Sequence, residues 1–227
     1  MRKWLALAAL IVLSACVTSQ RTFTGQFEPP PANSRIVVMT PDVQLSILNA
    51  TGMQEPREDW SRSAREGVAS AVAAHVVAEG HQQSSLDPAT AMEGRTGQVI
   101  RLHEVVGASI LMVNYFGMNL PTRKDNFEWT LGEGAQEIRT TYNADYALFI
   151  TGRGSYASAG RVAAMVGMAI LGVGIPLGGQ QAYASLVDLR TGNVIWFNVV
   201  TAAPNEDMRE AEGSSQLVRR LMEGAPL

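Results

Sequence analysis

The chain opens with a basic Met1-Arg2-Lys3 and an unbroken apolar stretch from Trp4 to Leu13, which stops at Leu13-Ser14-Ala15-Cys16. The stretch is well short of the roughly 20 apolar residues a spanning helix needs, so residues 1–15 read as a secretory leader. Residues 16–33 turn polar and carry Pro29-Pro30-Pro31, which favours extended polyproline geometry and is excluded from sheet interiors. They read as a tether, at most about 50 Å long at about 3 Å per residue. From residue 34 to 227 the pattern is that of one folded domain.

Arg35-Ile-Val-Val-Met39 is a short β-branched run stopped by Pro41 and predicts a buried strand. Val43 to Leu48 alternates weakly, as a second short strand or an extended edge. Asn49 to Gly52 turns the chain. Trp60, Ala64, Val68, Val72 and Val76 recur every four residues, a helical stripe that Asp59 can cap and Gly80 can end. Pro88 suits a helix start, and Val99, Leu102, Val106 and Ile110 predict a helix over much of 96–109. Residues 109–116 fit either its continuation or a strand. A short helix over 134–141 leads into the strand Tyr146–Thr151. Two further strands, 182–189 and 194–200, form a hairpin with Gly192 at a left-handed turn position. Both faces of the second are apolar, as in a strand covered on both sides. Leu217, Val218 and Leu221 mark a last amphipathic helix. The fold class is therefore α/β: a single small domain, a mixed sheet with helices packed on it, and a C-terminal β-hairpin plus helix.

The cysteine count changes the picture at the N-terminus. Cys16 is the only cysteine, so no disulfide can form within a chain addressed to an oxidising compartment. Leu13-Ser-Ala-Cys16 looks like the lipobox of bacterial lipoproteins, in which small residues fit the signal-peptidase cleft and the cysteine thiol receives the lipid. An ordinary leader with an incidental cysteine is the alternative. The resemblance implies lipid attachment, palmitate included, at Cys16. With Val17 rather than Asp after it, it also implies an outer-membrane lipoprotein whose domain faces the periplasm.

Charge and composition exclude more than they assign. Charged residues make up 17% of the chain against about 25% in typical soluble domains, while the apolar 46% is ample for a core. Without Arg2 and Lys3 the mature chain holds 16 basic and 21 acidic residues, a net −5. No basic cluster is present to replace the counterions of a nucleic acid, so no nucleic-acid partner is expected.

Asn143-Ala-Asp-Tyr-Ala-Leu-Phe-Ile150, followed by Ala184-Ser-Leu-Val-Asp-Leu-Arg-Thr-Gly-Asn-Val-Ile-Trp196, resembles the core of envelope lipoproteins related to the curli-secretion lipoprotein. It is also similar to lipoprotein activators of penicillin-binding proteins. In that group a helix runs into an Ala-Asp-Tyr strand and a Val-Asp-x-x-Thr-Gly hairpin follows. Met39-Thr-Pro-Asp-Val-Gln-Leu45 with Glu55-Pro-Arg-Glu-Asp-Trp60 resembles a narrower family of proteobacterial lipoproteins. The pattern extends over residues 35–222. The resemblance implies a non-enzymatic envelope component. The pore-forming hairpins of the curli channel have no counterpart here, so a channel is not implied.

Candidate chemistry is sparse. His75 and His81 stand six apart and do not share a helix face as metal ligands would, and His103 lies far along the chain; no metal site is expected. Glu206, Asp207, Glu210 and Glu212 gather where the last helix starts, as the helix dipole favours, rather than as an acid–base pair. No Gly-x-Ser-x-Gly nucleophile elbow occurs, and no catalytic residue is assigned. Gly152-Arg-Gly154-Ser-Tyr-Ala157 has the outline of a dinucleotide fingerprint, with Asp188 on the next strand. However, such a unit normally opens a longer doubly wound domain. Turn glycines at a strand end are the plainer reading and no cofactor is expected; a periplasmic enzyme or small-ligand binder using residues 152–160 is the alternative.

One run fits none of this. Val162 to Leu177 lacks any charge over sixteen residues, yet is short for a span and is broken by Gly172, Gly174 and Pro176. The first expectation is a helix or loop buried in the domain. The other is a contact surface for a membrane, an envelope partner or a second copy, carried by Val162, Met165, Met168, Ile170, Leu171 and Ile175. The functional expectation is an outer-membrane-anchored assembly or regulatory component of an envelope complex.

Overall fold

The computed structural model describes residues 19–86, 92–121 and 126–227; the leader, Cys16 and Pro88 lie outside the described residues. The expected strands form, in the order β2 (Arg35–Val38), β3 (Asp42–Leu48), β6 (Tyr146–Ala157), β7 (Gly178–Asp188) and β8 (Val194–Thr201). They join the edge strands β1 (Ser19–Thr22), β4 (Gln54–Pro56) and β5 (Gln82–Ser85) in one mixed sheet, ordered β1-β8-β7-β6-β2-β5. β3 also pairs with β6, and β4 with β3.

The long β6 organises the sheet. β2 lies parallel to its first half and β3 parallel to its second, so the two together flank one side of β6, with a break between Val38 and Asp42. Pro41 in that gap has no N–H for the ladder, which accounts for the break. β7 runs antiparallel along the whole of β6, and β8 antiparallel to β7.

Alternation along the strands feeds two cores. Ile36, Val38, Tyr146, Leu148, Ile150 and Trp196 face α1 (Glu58–Ala78) and the C-terminal helix, α5 (Ala211–Leu221). Val37, Met39, Ala147, Phe149 and Phe197 face α2 (Gly94–Ile110), α3 (Gln136–Tyr142) and the segment 127–131. The result is a helix–sheet–helix sandwich. On α1 the stripe Ala64, Val68, Val72 and Val76 is buried as its spacing predicts, and Gly80 ends the helix region with φ +88°. The cap differs from expectation. Arg57 is the N-cap residue without a side-chain cap bond, and Asp59 in the first turn accepts from the Arg57 guanidinium at 2.6 and 2.9 Å.

One open alternative is decided and one further expectation is corrected. Residues 109–116 are not a strand but continue the helix: α2 runs to Ile110 and Leu111–Tyr115 follows as a π-helical turn. Within the expected tether 16–33, the described residues 19–33 are not free of the domain. Ser19–Thr22 pairs with β8, the Phe23 N–H donates to the Ile195 carbonyl at 3.0 Å, Phe27 packs on the α1 core, and Pro30 is buried. The outer edge of β8 has open donors and acceptors, and these residues satisfy them.

The motif residues that carry the family resemblance are structural. Asn143 holds the left-handed position that ends α3 (φ 49°), Ala144 is buried, and Asp145 pairs with Arg35 and Arg139 at 3.5 Å. In the hairpin, Asp188 Oδ1 accepts from the Arg190 N–H at 2.9 Å, and Gly192 turns with φ +76°. A Cβ on Gly192 would stand 2.2 Å from the Gly132 carbonyl oxygen, so both the dihedral and the space require glycine.

Candidate functional site

Between β6 and β7 the chain leaves the sheet as a helical hairpin. Ser158 caps α4 (Ala159–Ile170) by accepting the Arg161 N–H on its hydroxyl at 3.1 Å. At the other end Gly172, with φ +75°, donates to the Ala169 carbonyl while Val173 donates to that of Met168, both at 3.0 Å, a Schellman stop. The Arg161 guanidinium then donates to the Pro176 carbonyl at 3.0 Å and ties the outgoing chain to the incoming one. Local signals therefore suffice to form the hairpin. Its packing does not follow.

No residue of α4 is buried. Val162, Met168, Ile170 and Leu171 are exposed, Ile170 at 82% and Leu171 at 73%, while Met165 and Ile175 are half-buried. The expectation of a buried run is thus overturned. Apolar periodicity identifies a helix but not what covers it, and this one projects past the sheet end. A helix apolar on all sides is ordinarily covered by protein or lipid. Gly167, Gly172 and Gly174 have open space around them.

The reactive-looking groups lie elsewhere and are closed. His103 of α2 is 2% exposed, stacks on Phe149 with ring centroids 3.7 Å apart, and shares a 2.5 Å hydrogen bond from Nε2 to Ser185 Oγ. Burial lowers its pKa to about 3, so the ring is neutral. A histidine–serine pair invites a nucleophile reading, but Ser185 is wholly buried and no substrate can meet it. The nearby cavity at the β2–β3 break, bounded by Met39, Asp42, His103 and Phe149, holds about 230 Å³. That is below the range usual for small-molecule sites, about 300–1,000 Å³. His75 belongs to the end of α1, the layer on the other side of the sheet from His103, and His81 to the turn between α1 and β5. Among the described residues no cluster of three or more potential ligands is placed to hold a metal.

The glycine fingerprint is also a structural feature. Gly152 and Gly154 are inside β6, paired on both sides, not at a strand end. A Cβ on Gly154 would stand 2.8 Å from Leu45 Cδ2, and one on Gly152 3.1 Å from Met208 Sδ. These glycines admit core side chains and form no phosphate-binding loop. The acidic group near α5 acts through ion pairs more than through the helix end. Buried Glu206 accepts from the Arg220 guanidinium, at 2.9 Å from Nε, and from the Ala203 N–H at 2.7 Å. Asp207 accepts from Tyr156 Oη at 2.7 Å and from Arg209. Its partial burial pushes the carboxyl up, yet these hydrogen bonds and the Arg209 charge outweigh that and hold it down at about 2.

A second apolar surface was not legible beforehand. Leu102, Val105 and Met112 form an exposed stripe along α2 and its π turn, and Phe116 beyond them is 62% exposed. Phe116 borders an open groove of about 600 Å³ with Gln44, Arg153, Gln181 and Thr201, at the sheet end from which α4 projects. Leu102 counts toward a core stripe in sequence, and only the helix phase set by His103 and Gly107 turns it outward.

The fold and its exposed features define a class: a helix–sheet–helix α/β domain carrying a projecting, predominantly apolar helical hairpin. No protein-family model matches the sequence, and no curated protein matches it. Solved structures are similar at low identity. The PelC dodecamer from Paraburkholderia phytofirmans shares 14% identity over 92% of this chain and 96% of that one, with a TM-score of 0.38. Lipoprotein GNA1162 from Neisseria meningitidis shares 14% over 74% of this chain and 78% of that one, with a TM-score of 0.33. The LpoB C-terminal domain from Salmonella enterica shares 13% over 86% and 92%, with a TM-score of 0.32.

Proposed function

We propose that this chain is a non-enzymatic lipoprotein of the bacterial outer membrane, anchored through Cys16 with its domain in the periplasm, and that it serves as an assembly or regulatory component of an envelope complex. The lone cysteine closing Leu13-Ser-Ala-Cys16 supports the anchor. Two separate exposed apolar surfaces, the α4 hairpin and the Leu102–Val105–Met112 stripe, carry the contact role. Contiguous apolar surface of this kind is costly in water unless another molecule covers it. The buried Ser185–His103 pair and the side chains filling the space at Gly152 and Gly154 favour this reading over an enzyme or a ligand binder.

The test is cross-linking in intact cells, capture of the full chain and mass spectrometry, with Val105→Asp beside the parent. The same few envelope proteins, or the chain itself, should recur in the parent and fall away in the variant. Adducts no different from those of an unrelated lipoprotein contradict the proposal.

A further inference from the structure

The register of β1 fixes where the anchor leaves the domain. Ser19 pairs with Val199, and Val199 with Tyr183, so β1 begins toward the end of the sheet at which β6 finishes and β7 starts. That is the end from which α4 projects and where Phe116 borders the open groove. Ser19 stands level with Tyr183, about 17 Å short of the hairpin root at Gly178 at 3.3 Å per residue. Cys16 is three residues further back and reaches at most about 10 Å of that distance. Even fully extended, Cys16 stops about 7 Å short of the hairpin root, so the hairpin stands ahead of it toward a leaflet at that end. A leaflet holding the Cys16 acyl chains is therefore within reach of the hairpin, and the short link keeps it there.

We propose that the α4 hairpin is a second membrane contact: its apolar tip lies in the headgroup–acyl boundary of the leaflet that holds the Cys16 lipid. The inference rests on the anchoring read above and names what covers the hairpin. A 12-residue helix is about 18 Å long, too short to cross a bilayer and suited to lying in its interface. Its root carries a polar tie, with the Arg161 guanidinium donating to the Pro176 carbonyl; beyond Arg161 no charge follows until after Leu177. With no basic cluster and an acidic mature chain, the contact is driven by apolar burial. It needs no anionic lipid.

Lipidated Cys16 has no free thiol, so a cysteine placed elsewhere in the full chain is labelled alone. Ile170→Cys and Val77→Cys, both at exposed positions, are labelled with an environment-sensitive fluorophore. Val77 lies in the last turn of α1, at the opposite end of the sheet. Each purified lipidated protein is reconstituted in phosphatidylcholine vesicles carrying doxyl groups on their acyl chains. The label at Ile170 should lose most of its emission to the doxyl lipid and resist aqueous iodide, with the reverse at Val77, unchanged by high salt. Quenching of Ile170 by iodide alone overturns the membrane contact while leaving the anchor intact. Protection from both quenchers overturns it in favour of a protein surface, a second copy included. A chain that carries no lipid sinks the anchoring read instead; Cys16→Ala with Ile170→Cys then keeps a single label, which doxyl lipid in added vesicles should still quench, and iodide quenching alone overturns the membrane contact.

Discussion

His103 shows how a titratable side chain is held for structure rather than chemistry. Its value near 3 lies below the 6.5 of an exposed imidazole, so between those values the unfolded chain binds a proton that the folded chain refuses. Stability from this residue is whole above about pH 6.5 and declines as the pH falls toward about 3. Urea unfolding at pH 7 and pH 4.5 should show a loss of a few kcal/mol in the parent beyond that of His103→Phe. At pH 7 that variant should itself be about 1–3 kcal/mol less stable, because Ser185 loses its partner. Equal pH slopes in the two proteins would count against the buried, neutral ring. Asp207 works in a lower window. Its folded value near 2 lies below the usual 3.8, so its contribution is present above about pH 4 and lost as the pH falls toward 2. Asp207→Asn should flatten the unfolding curve there and nowhere else, read by circular dichroism across pH 2–5. Trp196 of β8 is wholly buried in the core beneath α1 and α5, and Trp196→Ala should cost roughly 3–5 kcal/mol in urea unfolding. A cost under 1 kcal/mol would contradict that packing.

Among the elements, the α4 hairpin parts company with the core helices most sharply. Met168→Asp and Ile170→Asp should each leave the melting temperature of the chain nearly unchanged, within the roughly 0.5 kcal/mol usual at exposed sites. Val72→Asp on α1 should unfold it, because an unpaired carboxylate would enter the core. Melting all three side by side checks the contrast, and a large loss at Ile170 would restore the buried reading of the run. Elements whose apolar residues follow one clear period were legible: α1, β2, the first half of β6, β8 and α5. Those that depend on partners were not. β1, β4 and β5 are the polar tetrads and triad Ser-Gln-Arg-Thr, Gln-Glu-Pro and Gln-Gln-Ser-Ser, strands because an edge needs pairing. The second half of β6 hides behind Gly152 and Gly154, whose missing side chains make room for Met208 and Leu45. The residues of the exposed hairpin were identified from their lack of charge, but their exposure depends on the sheet end they project from.

At the scale of the whole molecule, one end of the sheet gathers what faces outward. The hairpin and Phe116 lie there, and the chain before β1 leads toward it from the level of Tyr183, while the buried His103–Ser185 pair and the two cores occupy the middle. The arrangement has a functional meaning only if the chain is held by lipid at Cys16. Cells fed radiolabelled palmitate and expressing either the parent or Cys16→Ala test this most directly. The parent should carry label and migrate as the processed form, and Cys16→Ala should carry none and retain its leader. Label on Cys16→Ala at the parental level, or an unlabelled parent, would contradict the account.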